Sequence, residues 1–305
     1  MASLLKILGV TVGVIGVTCI GGCTLLVVGG AVAGCAGCAS LSSFKNYSAG
    51  YSRTATSTAA CAGQLTVKTN NGSITVTKDA SLKEASITAT LHGSTQQRAD
   101  AAQLITAPTA DGGLAIEIVW PEKRQPSEGC DIEVRLPDAT ALVLESSNGA
   151  VNVTGMRGLL TIDTSNAEIN VTDHAGEVRG ETSNGSVNIV NVQGSVTVDT
   201  SNASVDVTLA DGNPGPFVIE SSNGSINIEM DESFAGTLVA DTSNGEVTVS
   251  KDGTIVSSGK DVVWTATDAG PKSTLDTSNS DIEVRIRKTS PGDKAKKPFI
   301  VRESI

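Results

Sequence analysis

Residues 142–207 read LVLESSNGAVNVTGMRGLLTIDTSNAEINVTDHAGEVRGETSNGSVNIVNVQGSVTVDTSNASVDV, one phrase stated four times. Aligned on their asparagines, ESSNGAVNV, DTSNAEINV, ETSNGSVNI and DTSNASVDV place Asn148, Asn166, Asn184 and Asn202 at a constant spacing of 18 residues. Copies around Asn223 and Asn244 follow at a spacing of 21, and a last one around Asn279 comes after an insertion of 14 further residues. An early relative, KTNNGSITV, surrounds Asn71. A short fixed period of this kind marks a solenoid, in which each repeat is one coil stacked against its neighbours.

The interior of the coil is legible from alternation. Leu160 and Ile162 alternate with Thr161 and Asp163, and after the turn Ile169 and Val171 alternate with Glu168 and Asn170. Inward pairs therefore fall at 160 and 162, 169 and 171, 178 and 180, 187 and 189, 196 and 198, nine residues apart. Period-2 alternation is that of a half-buried strand, and a repeat of nine gives two strands and two turns per coil. The expected fold is all-β: a flattened parallel β-solenoid of coils 18 to 21 residues long, with one short helix in its N-terminal part.

One turn carries Ser-Asn; the other carries a glycine two residues before an inward position, at Gly158, Gly176, Gly194, Gly215 and Gly236. The residue after each repeat asparagine is Gly149, Ala167, Gly185, Ala203, Gly224, Gly245 or Ser280. Ala and Ser would be penalised at a positive φ, so the position calls for a small side chain at a crowded corner, and the asparagine is the candidate for the left-handed conformation. Asn148, Asn166, Asn184, Asn202, Asn223, Asn244 and Asn279 are accordingly read as structural turns, able to form an amide ladder at the strand spacing of about 4.8 Å.

Three residues before each asparagine stands a carboxylate: Glu145, Asp163, Glu181, Asp199, Glu220, Asp241 and Asp276. In register they form a row whose neighbours repel by about 1 kcal/mol at aqueous dielectric. Hydrogen bonds from the following hydroxyls and turn N–H groups would offset that. Oxygen ligation of a hard cation is the alternative, but the glycine-paired calcium nonapeptide is absent, and neither a metal nor any other cofactor is assigned.

From Ile7 to Leu41 there is no charge, a run longer than the ~20 apolar residues that span a bilayer. Residues 1–41 are a hydrophobic leader, either an uncleaved transmembrane anchor with Lys6 on the cytoplasmic side or a lipoprotein signal. In the second case Val32-Ala33-Gly34-Cys35 makes Cys35 the lipidated residue, with Cys23 a weaker candidate. Residues 42–60 read as a Ser/Thr/Ala linker, 61–287 as the solenoid domain, and 288–305 as a basic, disordered tail; seven of the 22 basic residues lie between Arg285 and Arg302. Within the domain, strands are expected over Gln64 to Thr77 on either side of Asn70-Asn71-Gly72, at Ala85 to Leu91, at Leu114 to Trp120 and at Asp131 to Leu136. Ser94-Thr95-Gln96-Gln97 has capping-box form, with Ala99, Ala102, Leu104 and Ile105 as the apolar face of a helix that Pro108 ends.

The chain has 305 residues, 3% of them aromatic, and a formal charge of -11. Neither a basic stripe nor interleaved aromatics is present to displace phosphate counterions, which excludes a nucleic-acid partner. Of the six cysteines, Cys61 and Cys130 lie in the soluble part; they could be bridged in an oxidising compartment or remain buried free thiols. Catalysis has little footing. His92 and His174 are the only histidines, His174 reads as a solvated turn residue, and no nucleophile elbow, zinc-protease or phosphate-loop motif occurs. Arg157 and Arg179 near the acid row are the only residues that would imitate a polysaccharide-cleaving solenoid. The sequons at Asn184 and Asn223 are by-products of the repeat.

The strand Asp-Ile-Glu-Val-Arg-Leu-Pro at 131–137, the Leu-Glu-Ser-Ser-Asn-Gly-Ala-Val-Asn-Val that follows and the tandem Thr-Ser-Asn-Gly coils resemble the toast-rack, adhesin-type β-solenoid domains of bacterial envelopes, known as domain of unknown function 4097. The resemblance spans roughly Gln64 to Arg287; the insertion containing Trp264 and Pro271 departs from it. It implies a non-catalytic, membrane-associated surface domain linked with adhesion or with sensing of envelope stress, whose partners would be the membrane, through the leader, and an envelope glycan or protein. The alternatives are an envelope polysaccharide-acting enzyme and a purely structural spacer.

Overall fold

The computed structural model describes residues 16–18, 24–28, 31–32, 50–267 and 270–288. Two compact units result, Met1–Ala49 and Gly50–Ile305. In the first, the strands Gly16–Thr18, Thr24–Val28 and Ala31–Val32 form a small antiparallel sheet. The other residues of the expected leader, Lys6, Cys23 and Cys35 among them, lie outside the described set, as do 289–305 of the expected tail. Among the described residues no helix is long and apolar enough to cross a membrane.

The second unit is built from one sheet of 12 strands and one of 11, with the core between them. Each coil gives one strand to each sheet. In the smaller sheet Gln64–Lys68, Ala141–Ser146, Leu159–Thr164, Val178–Thr182, Val196–Thr200 and Phe217–Ser221 pair in parallel, in register, in that order. In the larger, Ile74–Lys78, Val151–Thr154, Ile169–Ala175, Val187–Gln193, Val205–Leu209 and Ile226–Asp231 do the same, apart from one register shift between Val190 and Val192 where Val187–Gln193 meets Val205–Leu209. Alternation of apolar and polar residues is what sets this arrangement: the apolar members bury against the facing sheet while their neighbours point to solvent. Leu160, Ile162, Ile169, Val171, Val178, Val187, Ile189, Val196 and Val198 are all buried, as the nine-residue period requires.

The stack departs from sequence order at its C-terminal end. Lys272–Thr277 inserts between Phe217–Ser221 and Thr237–Thr242, and Ile282–Arg287 between Ile226–Asp231 and Val247–Lys251. The coil of Asn279 is therefore penultimate in space, although last in sequence. The insertion before it forms the strands Thr254–Gly259 and Asp261–Thr265, which pair antiparallel on the outer edges of the Asn244 coil. Trp264 stacks on Phe234, centroids 6.1 Å apart, and Phe234 packs on Phe217 at 5.6 Å. The returning coil thus has a parallel neighbour on both sides.

The N-terminal end is closed similarly. Leu114–Val119 and Gly129–Leu136 make a coil outside that of Asn71, and the antiparallel strands Gln103–Pro108, Ala85–Gly93 and Tyr51–Ala59 lie beyond it. The linker expected over 42–60 is corrected here: Tyr51–Ala59 is a nine-residue strand at the sheet edge, so the unit begins at Gly50 rather than at 61. The helix is shorter than its apolar face suggested. It covers Gln96–Ala101 with Thr95, not Ser94, as N-cap accepting from Arg98 N–H, and Leu104 and Ile105 belong to the following strand.

Cys61 and Cys130 are free and buried. Cys61 sits before Gln64–Lys68, beside the Gly63 carbonyl, whereas the Cys130 carbonyl accepts from Thr69 beyond that strand's other end. Five extended residues span about 17 Å, far over the ~7 Å Cα reach of a disulfide. Burial, and then Asp131, pushes the Cys130 thiol up to about 12, and burial followed by Asp111 raises Cys61.

Candidate functional site

The repeat asparagines form a continuous amide ladder along the Ser-Asn corner. Asn148 Nδ2 donates to Asn71 Oδ1 at 2.7 Å, Asn166 to Asn148 at 2.9 Å, Asn184 to Asn166 at 2.8 Å and Asn202 to Asn184 at 2.9 Å. Asn223 continues to Asn202 at 2.8 Å, Asn279 to Asn223 at 2.7 Å and Asn244 to Asn279 at 2.8 Å, in the spatial order of the coils. At the N-terminal end Asn71 Nδ2 is satisfied by the carbonyls of Pro126 and Glu128. None of these asparagines has a positive φ, which corrects the left-handed assignment. Positive φ falls at the opposite corner, at Gly155 (73°), Asp173 (55°) and Asn191 (57°), and at the glycines such as Gly158 (86°) and Gly236 (100°).

The crowding at the Ser-Asn corner is real and alternates. A Cβ on Gly149, Gly185, Gly224 or Gly245 would lie under 3.0 Å from the backbone of Gly72, Ala167, Ala203 or Ser280, respectively, in the adjacent coil. The hydroxyl just after each carboxylate locks these glycine coils. Gly185 N–H donates to Thr182 Oγ1 at 3.2 Å while Thr182 Oγ1 donates to the Ala167 carbonyl at 3.4 Å. Ser221 and Thr242 repeat the arrangement, as does Ser146 with the Gly72 carbonyl. In the two alanine coils the equivalent hydroxyls, Thr164 and Thr200, are buried without a partner. The constant Ser/Thr after each acid was the sequence signal for this lock.

The carboxylates stand in register on the outer face of the smaller sheet, in the order Glu145, Asp163, Glu181, Asp199, Glu220, Asp276, Asp241, with Asp261 of the cap last. The expected hydrogen bonds to the following hydroxyls are not formed, because those hydroxyls turn inward to the corner. Asp163, Glu181, Asp199, Glu220 and Asp276 are instead exposed, where water and salt screen their repulsion. Lys68 closes the N-terminal end with a 2.8 Å ion pair to Glu145. At the other end a hydrogen bond with Asp261, aided by desolvation and the charges of Asp261 and Asp276, raises the pKa of Asp241. Among the described residues no group of three or more His, Cys, Asp and Glu is placed to hold a metal.

The outer face of the larger sheet is different. Thr75, Asn152, Asn170, Asn188, Asp206 and Asn227 form one row and Thr77, Thr154, Thr172, Val190 and Thr208 another. Asn170 donates to Asn152 at 3.1 Å and Asn227 to Asp206 at 2.7 Å. Toward the C-terminal cap this face carries an open cleft of about 480 Å³ lined by Thr248, Ser250, Asp252, Ile255, Glu283 and Arg285, among others.

The remaining polar clusters hold parts of the fold together. Glu128 is fully buried and receives Arg98 Nε, Arg98 Nη2 at 2.9 Å, Ser94 Oγ at 2.9 Å and Gln125 N–H at 2.8 Å. Led by the Arg98 hydrogen bond, and against burial, these hold its pKa at about 2. This pin between helix and loop was not foreseen, since nothing in 121–129 distinguishes a buried acid from a solvated one. Nearby, Asp131 accepts from Ser73 Oγ at 2.8 Å and pairs with His92 Nε2 at 2.9 Å. Burial pushes Asp131 up, but the hydrogen bonds from His92 and Ser73 outweigh it and lower its pKa. The serine donates to the carboxylate rather than to the imidazole, so this trio does not activate a nucleophile.

His174 is not the solvated residue expected. It is 1% exposed, aligned with Val192 of the next coil, and bonded through Nε2 to the Gly158 carbonyl at 2.9 Å. Burial depresses its pKa, against the opposing pull of the Gly158 and Glu177 carbonyls. Arg157 and Arg179 do not converge: Arg157 pairs with Asp138 by the glycine corner and Arg179 with Glu177 at 2.6 Å on the sheet face.

No protein-family model and no curated protein matches the sequence. Solved structures do resemble the chain. A "putative cell adhesion protein" from Clostridium sporogenes covers 78% of this chain and 99% of its own at 13% identity and a TM-score of 0.31. A "putative adhesin" from Bacteroides fragilis covers 77% and 96% at 13% identity and 0.36, and another from Parabacteroides merdae covers 79% and 98% at 10% identity and 0.35. With TM-scores this low, the likenesses carry no argument about what this chain does.

Proposed function

We propose that this chain is a non-catalytic module of the bacterial cell envelope, held at a membrane by residues 1–41 and presenting its solenoid as a binding surface for an envelope glycan or protein. Adhesion is the role it fits first, and a scaffold for envelope-stress sensing the second. The observation that supports this is the in-register stack itself. Equivalent side chains recur on both outer faces at the strand spacing of about 4.8 Å, so an extended partner meets a carboxylate at every repeat coil on one face and mostly amides and hydroxyls on the other. The coils that carry these rows are braced by the amide ladder and the hydroxyl lock, which favours display over chemistry.

The test is binding of the full chain to purified cell-wall and capsular polymers, with the polymers assayed for cleavage afterwards. Retention without product release is expected. Release of soluble fragments would replace this reading with the enzyme, and no retention on any polymer would leave the spacer. The tether is read from the intact mass of membrane-extracted protein: a diacylated N-terminal Cys35 marks a lipoprotein, and the unprocessed mass marks the anchor.

A further inference from the structure

A β-sheet edge offers unpaired N–H and C=O groups, and folded proteins blunt such edges with prolines, charges, bulges or brevity. Among the described residues the solenoid has four edges. Gln103–Pro108 is six residues long and ends in proline, and Asp261–Thr265 is five residues long and begins with a carboxylate. Thr254–Gly259 is six residues long and meets its neighbour through a register shift. Tyr51–Ala59 has none of these devices. It runs nine residues without proline, and its regular pairing with Ala85–Gly93 on the inner side is unbroken along the whole length. Its only charge, Arg53, is turned onto the Ala102 carbonyl.

The sequence of this strand also fits itself. Around Ala55, Ser52 mirrors Thr58, Arg53 mirrors Ser57, and Thr54 mirrors Thr56. Antiparallel pairing about a two-fold at Ala55 places the exposed hydroxyls of 52 and 54 opposite those of 58 and 56 and keeps the half-buried 53, 55 and 57 on the other face. Hydroxyl pairs are favourable cross-strand neighbours, and no like charges meet. A two-fold requires this self-complementarity of a strand, whereas an unrelated peptide does not.

We propose that a second copy of this chain occupies the edge, the two Tyr51–Ala59 strands pairing antiparallel about Ala55 so that the 12-stranded sheets of two protomers become continuous. The experiment uses the full chain in detergent, with protein mass read by light scattering. A dimer is expected, and the double substitution Thr54→Lys, Thr56→Lys, which sets lysines opposite lysines at exposed positions, should weaken it at least tenfold with an unchanged circular dichroism spectrum. Thr197→Lys, on the other sheet, should leave it intact. A mixture of Thr54→Cys and Thr56→Cys chains should form an intermolecular disulfide between residues 54 and 56, and neither variant alone should cross-link at its new cysteine. A monomeric chain, a dimer indifferent to the paired lysines, or equal cross-linking of a single variant would each overturn the proposal.

Discussion

Replacing Gly185 by alanine tests the corner directly. The new Cβ would lie under 3.0 Å from the Ala167 carbonyl, which is backbone in the middle of a parallel stack and has no rotamer with which to yield. Relief requires the two coils to part, and overpacking of this kind costs about 1–3 kcal/mol. Parting also stretches the Gly185 N–H to Thr182 and Thr182 to Ala167 hydrogen bonds, and stranding that buried hydroxyl costs about 1–3 kcal/mol more. Taking about 3 kcal/mol in total, and about 2–4 °C per kcal/mol for a domain of this size, the midpoint of thermal unfolding should fall by about 6–12 °C. The reverse change one coil away, Ala167→Gly, removes a methyl group that already fits and should cost no more than about 1 kcal/mol, mainly backbone entropy. Melting both variants by far-UV circular dichroism under one set of conditions decides the matter. If Gly185→Ala melts within 1–2 °C of the parent, or if the two changes cost the same, the alternation of glycine and alanine coils has no steric basis and the account of the corner is wrong.

Asn184→Ala removes the amide that donates to Asn166 and accepts from Asn202; at this exposed corner a loss of about 1 kcal/mol is expected by urea titration. Gly180 is an inward position with ordinary φ, where an added Cβ meets only Ile169 Cδ1 at 3.5 Å and Val198 Cγ2 at 3.9 Å, so Gly180→Ala should stabilise by about 0.4–1 kcal/mol through the unfolded chain. Because the Glu128 pKa is depressed from 4.5 to about 2 in the fold, its contribution is complete above 4.5 and is lost as pH falls toward 2; Glu128→Gln should be less stable at pH 6 and show a flatter decline over that window. His174 acts in the same direction: its folded pKa lies below 6.5, the unfolded chain takes up the proton first, and stability should drop as pH falls through 6.5. His174→Val, matching Val192, should remove that dependence, and denaturant midpoints at pH 7.5 and 5.5 will show whether it does.

Much of the solenoid was legible because its information is periodic. Inward pairs nine residues apart can be satisfied only by two strands per coil, and identical asparagines at one spacing predict a ladder once the coils are in register. What periodicity cannot encode is adjacency. The Asn279 coil carries the same phrase as the others, and nothing within it says that it lies between Asn223 and Asn244. Tyr51–Ala59 was missed because alternating Ser, Thr and Ala carry little apolar contrast, and its burial comes from the strand and helix packed beside it. The left-handed corner was misplaced because Asn tolerates that conformation anywhere. Here the amide is needed for the ladder, and Gly155, Asp173 and Asn191 take the positive φ instead. His174 and Glu128 look like solvated loop residues locally; their burial is a property of the coil or loop that covers them.

The amide ladder has a direction. Every Nδ2 points toward the N-terminal end of the stack and every Oδ1 toward the C-terminal end, so eight side-chain dipoles add along one exposed edge as peptide dipoles add along a helix. The two ends are dressed accordingly. The donor end meets the carbonyls of Pro126 and Glu128, and near the acceptor end Lys260 Nζ binds the Ser243 carbonyl at 2.6 Å. One inverted amide would set donor against donor on one side and acceptor against acceptor on the other, so each side chain's orientation is fixed by both of its neighbours. The row therefore holds one polarity from the first coil to the last.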